Sequence, residues 1–403
     1  MTLQTTTNYT PAQWVLIHTA NAYGLDKQPY DERLKFGRAV LEHVRANDES
    51  ELNLLANNAE SGVMFKARVT QINDILNGVP SGMLLGQDAS SSGIQLMSVL
   101  GRDVKGMSLT GVLGTDVPSA YGSLLKEIST HLPNIVSKQV KLAAIPYMYG
   151  SNAAPERVFG DNVKVFEEAY FNLFKAAFEI RSALLDAWDS DYHTRLWDMP
   201  DGQTAYDISI QKYSLDYEFA GLPVEYQFNK VEAKDEGRSL PANVIHSFDA
   251  YVMREVTTRA GISHEMLTNA LLMIVQGYGE YSENLDHIVE CGEASNMVSI
   301  AVVPYLAKGY YSTMSSEYED KLTKLIEHLL KLPRFVVRGI HDEFQCLANY
   351  QNIMKQLYND ILVEAYRGEW LSTTLASLGA HVDIPEVDEE VANNIAKALY
   401  AIH

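Results

Sequence analysis

The chain has 403 residues, with 52 acidic against 32 basic side chains and a formal net charge of −20. That balance argues against wholesale wrapping of nucleic acid, since phosphate neutralisation needs lysine and arginine, while leaving room for a narrow basic channel or a basic partner. The length points to two or three subdomains. The 46% apolar composition contains no run long enough to span a membrane, and "MTLQTTTNYT" lacks the basic and apolar regions of a signal peptide. Two cysteines, Cys291 and Cys346, make neither a disulfide framework nor a zinc spacing, which fits a reducing cytoplasm.

In chain order, Thr10-Pro11 predicts a helix start, with Thr10 as N-cap and Pro11 in the first turn. Helical patterning continues through "AQWVLIHTANA", "DERLKFGRAVLEHV" and "GVMFKARVTQINDIL". After Pro80 the pattern changes: "GMLLGQD" reads as a short buried strand and "SSGIQLMSVLG" as the start of a helix. "DVPSAYGSLLKEISTHL" and "SKQVKLAAIPYMYGS" read as helices, the second bent or ended near Pro146, and "NVKVFEEAYFNLFKAAFEIRSALLDAW" as one long amphipathic helix. The period then switches to two. "TRLWDM" and "TAYDISI" predict a hairpin about a Pro200-Asp201-Gly202 turn, and "VEYQFNKVE" a further strand. Helices return at "PANVIHSFDAYVMREVTTRA" and through 262–332. "RFVVRGI" and "EFQCLA" form strand, turn, strand around His341-Asp342, and helices follow, with an acidic "EVDEE" segment near the end. The expected fold class is α+β, mostly helical, without regular β-α alternation.

Two aspartates stand out. Asp88 ends a buried-looking strand and opens the small-residue loop "DASSSG", while Asp342 sits on a tight hairpin. Carboxylates at two strand ends suit hard cations such as Mg²⁺, and two-metal phosphoryl transfer needs such a clamp. Read alone, Asp88 serves equally well as a helix cap and Asp342 as a turn residue. Lys141 and Tyr149 lie eight residues apart, roughly on one helical face, where a lysine can meet a triphosphate and an aromatic ring a base or sugar. A snorkelling lysine on an amphipathic helix gives the same spacing. His246 lies on a helix beside Ser247 and Asp249, and "SHEM" departs from the zinc-protease motif at Thr268. No P-loop is present, and neither cysteine carries a nucleophile signature.

Taken together, the order and wording of these motifs resemble the catalytic part of the single-subunit, phage and mitochondrial type of DNA-dependent RNA polymerase. "QDASSSGIQLMSVLGRD" is similar to that family's first palm motif, with Asp88, Ser92, Gly93, Ile94 and Gln95 in register. "KLAAIPYMYGS" resembles the fingers motif, in which a lysine precedes Tyr-Gly-Ser by eight residues. "PANVIHSFDA" resembles the segment carrying a 2′-hydroxyl-sensing histidine, and "IHDEF" the last palm motif. "WVLIHTANAYGLDKQPYDERLKF" matches a stretch upstream of the first motif. The resemblance covers roughly residues 14–260 and 333–380.

The resemblance implies a right-hand palm and fingers with a small antiparallel palm sheet, the N-terminal domain and thumb missing. Residues 1–130 would be the first part of the palm with its preceding helices, 131–240 the fingers, and 241–261 a palm helix with the sugar-sensing histidine. Residues 262–332 would be a family-atypical helical insertion, and 333–403 the last part of the palm with C-terminal helices. Asp88 and Asp342 would hold two Mg²⁺ ions, with the Ala89 carbonyl as a further oxygen. Lys141 would face the nucleotide phosphates, Tyr149 and Gly150 would form the base of the nucleotide pocket, His246 would sense the ribose, and His341 would lie beside the primer end. This chain departs from the family at Ser137, where an arginine is usual and Lys138 is the nearest substitute. It departs also at Ala89 for glycine and at Glu343 for serine.

The implied activity is template-directed RNA synthesis from NTPs on DNA in the cytoplasm of an infected bacterial host. The chain would be the larger, catalytic subunit of a heterodimeric phage enzyme, joined by a smaller subunit that supplies the missing N-terminal part and by a DNA-opening or single-stranded DNA-binding factor. A related A-family DNA polymerase is the alternative favoured by His-Asp-Glu at 341–343. Against it, that family reads Asp-Tyr-Ser-Gln-Ile-Glu where this chain reads Asp-Ala-Ser-Ser-Ser-Gly-Ile-Gln. A non-catalytic scaffold keeping the polymerase fold is the other alternative.

Overall fold

The computed structural model describes residues 8–403. A layer of four helices, Pro11–Tyr23, Tyr30–Arg45, Glu49–Asn58 and Gly62–Leu76, opens the chain. The first starts as its sequence dictates: the Thr10 hydroxyl accepts from Gln13 N at 3.3 Å while Gln13 Oε1 accepts from Thr10 N at 2.8 Å, a capping box with Pro11 in the first turn. These helices enclose an apolar cluster of their own around Trp14, Ile17, Tyr30 and Phe65. The buried Lys355 ties that layer to the rest, its Nζ donating to Tyr30 Oη at 2.8 Å and to the carbonyls of Leu399 at 2.6 Å and Ile402 at 2.8 Å.

The main core gathers around helices Ser92–Leu100, Leu240–Gly261 and Gln351–Arg367, through Ile94, Leu96, Phe248, Val252, Ile361 and Leu362. Against it lies a three-stranded antiparallel sheet of β1 (Leu85–Asp88), β6 (Arg338–Ile340) and β7 (Glu343–Cys346), in the order β1-β7-β6. The register sets Leu85 opposite Cys346 and Asp88 opposite Glu343. Two hairpins stand apart from this sheet, one of β2 (Thr194–Asp198) and β3 (Thr204–Ile208), the other of β4 (Ile210–Phe219) and β5 (Leu222–Val231). Segment 262–332 is helical, as expected, with His264–Gln276, Glu283–Ala294 and Ser316–Leu329 as its main helices. Among the described residues no helix is long and apolar enough to cross a membrane.

Three expectations need correction. The long helix over 162–188 is two helices, Val163–Leu173 and Lys175–Asp186, broken at Phe174 (φ −135°, ψ 56°). Remote side chains stabilise the break: Lys105 Nζ donates to the Asn172 carbonyl at 2.8 Å, and Asp103 Oδ2 accepts from Ala176 N at 3.2 Å. A cap reaching from another element leaves no mark in the local sequence. The strand expected across "RFVVRGI" shortens to Arg338–Ile340, because Phe335 N donates to the Ala260 carbonyl at the end of helix Leu240–Gly261 at 2.9 Å and not to a neighbouring strand. The strand β4, partner of β5, and the helix Glu49–Asn58 were not anticipated.

Candidate active site

β1 and the β6–β7 hairpin end at the same edge of the sheet, and this sets the site. A two-residue turn, His341-Asp342, joins β6 to β7, with His341 in the left-handed region at φ 56°. That tight turn sets Asp342 near Asp88, so that the charge of one carboxyl bears on the other. Backbone bonds to the C-terminal segment fix the end of β1: Asp88 N donates to His403 O at 3.3 Å, and His403 N to Asp88 O at 2.9 Å. Ala89, next in the chain, is buried in a bridge with Ile402.

Asp88 opens to solvent within this cleft, yet the surrounding protein and its acidic neighbours push its pKa up to about 6, burial first, then Asp342 and Glu343. Asp249, on helix Leu240–Gly261, faces the same pair and is pushed up to about 7, by burial first and then by Asp342 and Asp88. Three carboxyls converging on one spot cannot all ionise cheaply unless a cation joins them. Hard oxygen donors in this number suit a divalent ion such as Mg²⁺, so the donor set fits.

Glu343 behaves differently. It pairs with Asp88 across the strands, but its side chain folds back over Gly86, where an added Cβ would run into Glu343 Oε1. There it accepts from Gln345 Nε2 at 3.1 Å, and Arg68 feels its charge.

The second wall is helix Ser137–Met148, which runs two residues past Pro146 and ends in the loop of Tyr149 and Gly150. Lys138 and Lys141, one turn apart, line an open cleft of about 480 Å³. Lys141 Nζ lies 5.5 Å from the centre of the Tyr121 ring, and Tyr121 in turn feels the charge of Asp342. Tyr149 packs on His246 with ring centres 4.6 Å apart. Burial raises the Tyr149 phenol to about 12, helped by Asp249, Tyr121 and Asp342, and burial lowers His246, opposed by Asp342. Both rings are therefore neutral near pH 7, with Tyr149 retaining its proton as a donor.

Two glycines permit this approach. At Gly93 a Cβ would stand 2.7 Å from Met148 Cε and 3.1 Å from Tyr149 Oη, so helix Ser92–Leu100 meets the Tyr149 loop only without a side chain. Gly150 has φ +96°, and a Cβ there would strike the Arg238 carbonyl. Ser92 opens its helix. Gln95 is fully committed inside the protein: its Nε2 donates to Thr110 O and Ala401 O, both at 2.9 Å, and Tyr358 Oη donates to its Oε1 at 2.6 Å. Gln95 thus pins the helix that follows Asp88 and faces no ligand.

The family model for DNA-dependent RNA polymerase matches residues 6–146. Over that part of the chain, about a third of its length, the sequence is similar to DNA-dependent RNA polymerases, which are nucleotidyltransferases. It takes in Asp88, Lys138 and Lys141 and stops short of Tyr149, His246 and Asp342, which the fold brings to the same cleft. No curated protein matches the chain. Sequence reasoning passed over Asp249 and Tyr121. Asp249 lies one turn from His246, and that i,i+3 spacing was the available signal; Tyr121 sits in "GTDVPSAYG", whose only distinction is spatial. Cys291 and Cys346 are pushed up to about 11 and about 12 by burial, so neither supplies a thiolate nucleophile.

Proposed function

We propose that the cleft between Asp88–Asp342 and Lys141–Tyr149–His246 is where a DNA-templated RNA chain is extended, and that this chain is the catalytic subunit of a phage transcription enzyme. The observation that carries the reading is the convergence of Asp88 and Asp342 from distant parts of the sequence, near enough for the Asp342 charge to raise the Asp88 carboxyl and to act on the packed Tyr149–His246 ring pair. In each cycle the RNA 3′-hydroxyl oxygen bonds to the α-phosphorus of an NTP, the bond to the β-phosphate bridging oxygen breaks, and pyrophosphate leaves. Two Mg²⁺ ions between Asp88 and Asp342 would supply Lewis-acid stabilisation of the charge on the attacking and leaving oxygens. The protein's own part is placement. Asp88 sits on a paired strand end and Asp342 on a two-residue turn, so neither carboxyl must be ordered during the reaction. Lys141 and Lys138 offer positive charge to the phosphates from one helix face, Lys138 being the cation nearest to Ser137, where the family has an arginine. The neutral His246 and the protonated Tyr149 offer hydrogen bonds to a ribose 2′-hydroxyl.

The DNA template, the nascent RNA and NTPs follow from the enzyme class. A smaller, more basic subunit completing the enzyme and a DNA-opening factor belong to the same reading, supported by the net charge of −20. The palm assignment of 1–130, 241–261 and 333–403 and the fingers assignment of 131–240 are supported by the two walls of the cleft. Glu343, the residue shared with DNA polymerases, folds over Gly86 while its charge still bears on Asp88, so the reading for RNA rests on the Asp-Ala-Ser-Ser-Ser-Gly-Ile-Gln run and on His246.

The test is primer extension by the chain with its partner subunit, supplied with ribo- or deoxyribonucleotides. Asp342→Asn is expected to lower extension by about 10³-fold or more with the circular-dichroism spectrum unchanged. Undiminished extension would end the metal assignment, and preference for deoxyribonucleotides would end the RNA reading.

A further inference from the structure

A second cluster of ligating side chains lies away from this cleft, where segment 262–332 meets the β2–β3 hairpin. Asp198 ends β2, and His287 and Cys291 lie one turn apart on helix Glu283–Ala294. His287 Nε2 stands 3.9 Å from Asp198 Oδ1 and 3.7 Å from Cys291 Sγ, and the three ligand atoms all lie within 4.8 Å of one another. A tetrahedral ion with bonds of about 2.0–2.3 Å has ligand edges of about 3.3–3.8 Å. The triangle is an expanded face of such a tetrahedron, with edges of up to 4.8 Å. Because Cys291 Sγ lies 3.8 Å from Nδ1 as well, the His287 ring turns to aim Nε2 at the ion. The fourth corner faces solvent, the Asp198 and His287 side chains being 49% and 42% exposed.

The surroundings hold this triangle in place. Thr204 Oγ1 donates to Asp198 Oδ1 at 2.7 Å, and Trp370 Nε1 donates to the Asp198 carbonyl at 3.0 Å. The turn between β2 and β3 presses on the same helix: Gly202 has φ +74°, and a Cβ there would lie 2.7 Å from Ile288 Cγ1, beside His287. On its other side the turn is anchored by Asp201, whose Oδ2 accepts from Arg254 Nε at 2.6 Å. A hairpin held on two sides and a helix with ligands at i and i+4 form a preorganised donor set, which lowers the ordering cost of binding.

The donor types select the ion. A thiolate, an imidazole and one carboxylate favour a borderline-soft cation over Mg²⁺, which prefers an all-oxygen shell. We propose that Asp198, His287 and Cys291 form a zinc-class metal site, with an open fourth position, that fastens helix Glu283–Ala294 to the β2–β3 hairpin. Binding releases the thiol proton of Cys291 to solvent and forms one bond from each side chain to the ion, with no redox change. The site is independent of the Asp88–Asp342 assignment.

Cobalt(II) is the probe. The full-length chain, stripped with chelator, is titrated with Co²⁺ in the presence of excess Mg²⁺ to fill oxygen-only sites. A thiolate-to-cobalt absorption saturating at one equivalent is expected, persisting in Cys346→Ser, disappearing in Cys291→Ser and displaced by Zn²⁺. Thr204→Val, which removes only the hydroxyl supporting Asp198, is expected to weaken binding about 10-fold or more. Zn²⁺ is expected to raise the melting temperature of the wild type and leave that of Cys291→Ser unchanged. If Cys291→Ser fails to fold, His287→Gln takes its place, with loss of at least tenfold in Co²⁺ affinity expected. Absence of the absorption in the wild type, or its survival in a folded Cys291→Ser or at full affinity in His287→Gln, would overturn the proposal and leave the Cys291–His287 contact as an ordinary hydrogen bond.

Discussion

Asp249 shows how much of the cleft's chemistry depends on neighbours rather than on motif. Its carboxyl is pushed up to about 7 by burial and by the charges of Asp342 and Asp88, whereas an unfolded aspartate titrates near about 3.9. Without divalent metal, folding therefore takes up a proton between these values. The stability this group contributes is complete below about pH 4 and is lost as pH rises through about 7. In chelator-containing buffer the wild type is expected to lose melting temperature relative to Asp249→Asn, whose side chain stays neutral, as pH rises across that window; parallel curves would contradict the raised pKa. His246 and Tyr149 carry a second prediction. Both rings stay neutral and face the same space, so removing one donor by Tyr149→Phe is expected to cost about 1 kcal/mol in ribose preference, read as a several-fold change in the ratio of kcat/KM for ribo- and deoxyribonucleotides. At this scale Asp88, Lys141, Tyr149, His246 and Asp342 could be singled out in the sequence because each sits in a distinctive local run. Tyr121 could not, because the fold alone gives it its neighbours, whereas Asp249 carried a signal in its i,i+3 spacing from His246.

Elements read well where the sequence contains both ends of the interaction. The helix Pro11–Tyr23 carries its own capping box, and the β2–β3 hairpin its own turn residues. The break at Phe174 was illegible because Lys105 and Asp103 stabilise it from another helix. The same holds for Arg259, which looks like an ordinary surface residue near a helix end. Buried instead, its guanidinium grips Glu364 through two bonds of 2.8 and 2.7 Å and Glu255 through a third of 2.8 Å, while Ser299 of segment 262–332 donates to Glu255 at 2.5 Å. Arg259→Met strands two buried or half-buried carboxylates and is expected to destabilise the protein by about 3–5 kcal/mol, measured by denaturant unfolding. The β4–β5 hairpin is the opposite case. Ten residues pair on each side, yet Leu215, Tyr217, Phe219, Leu222 and Tyr226 are exposed, and among the described residues no sheet or helix face covers them. A two-stranded ribbon without a covered face is marginal in water. Its amides are expected to exchange with deuterium faster than those of β1 and β7, and equal protection in the isolated chain would show a covering contact.

The whole molecule combines an excess of acidic charge with a small basic face. Net charge is legible in any sequence, but its distribution depends on the fold: Lys138 and Lys141 line an open cleft along their own helix, while Asp88, Asp249 and Asp342 crowd together elsewhere. Affinity for duplex DNA grows with the number of phosphates neutralised, and each phosphate contact adds close to one unit to the slope of log affinity against log salt. Two lysines in a cleft supply few such contacts, and a charge of −20 opposes long-range approach of the template. The isolated chain is therefore expected to bind template DNA weakly, with a shallow salt slope of about two or less. If a more basic subunit completes the enzyme, the assembled pair is expected to bind more tightly and to show a steeper slope, because the added contacts come from the second chain. Fluorescence anisotropy of a labelled template across a salt series, with and without that subunit, reads both slopes. Equal slopes, or tight binding by the isolated chain at physiological salt, would mean that this chain carries the DNA-binding surface itself and that the acidic excess lies away from the template path.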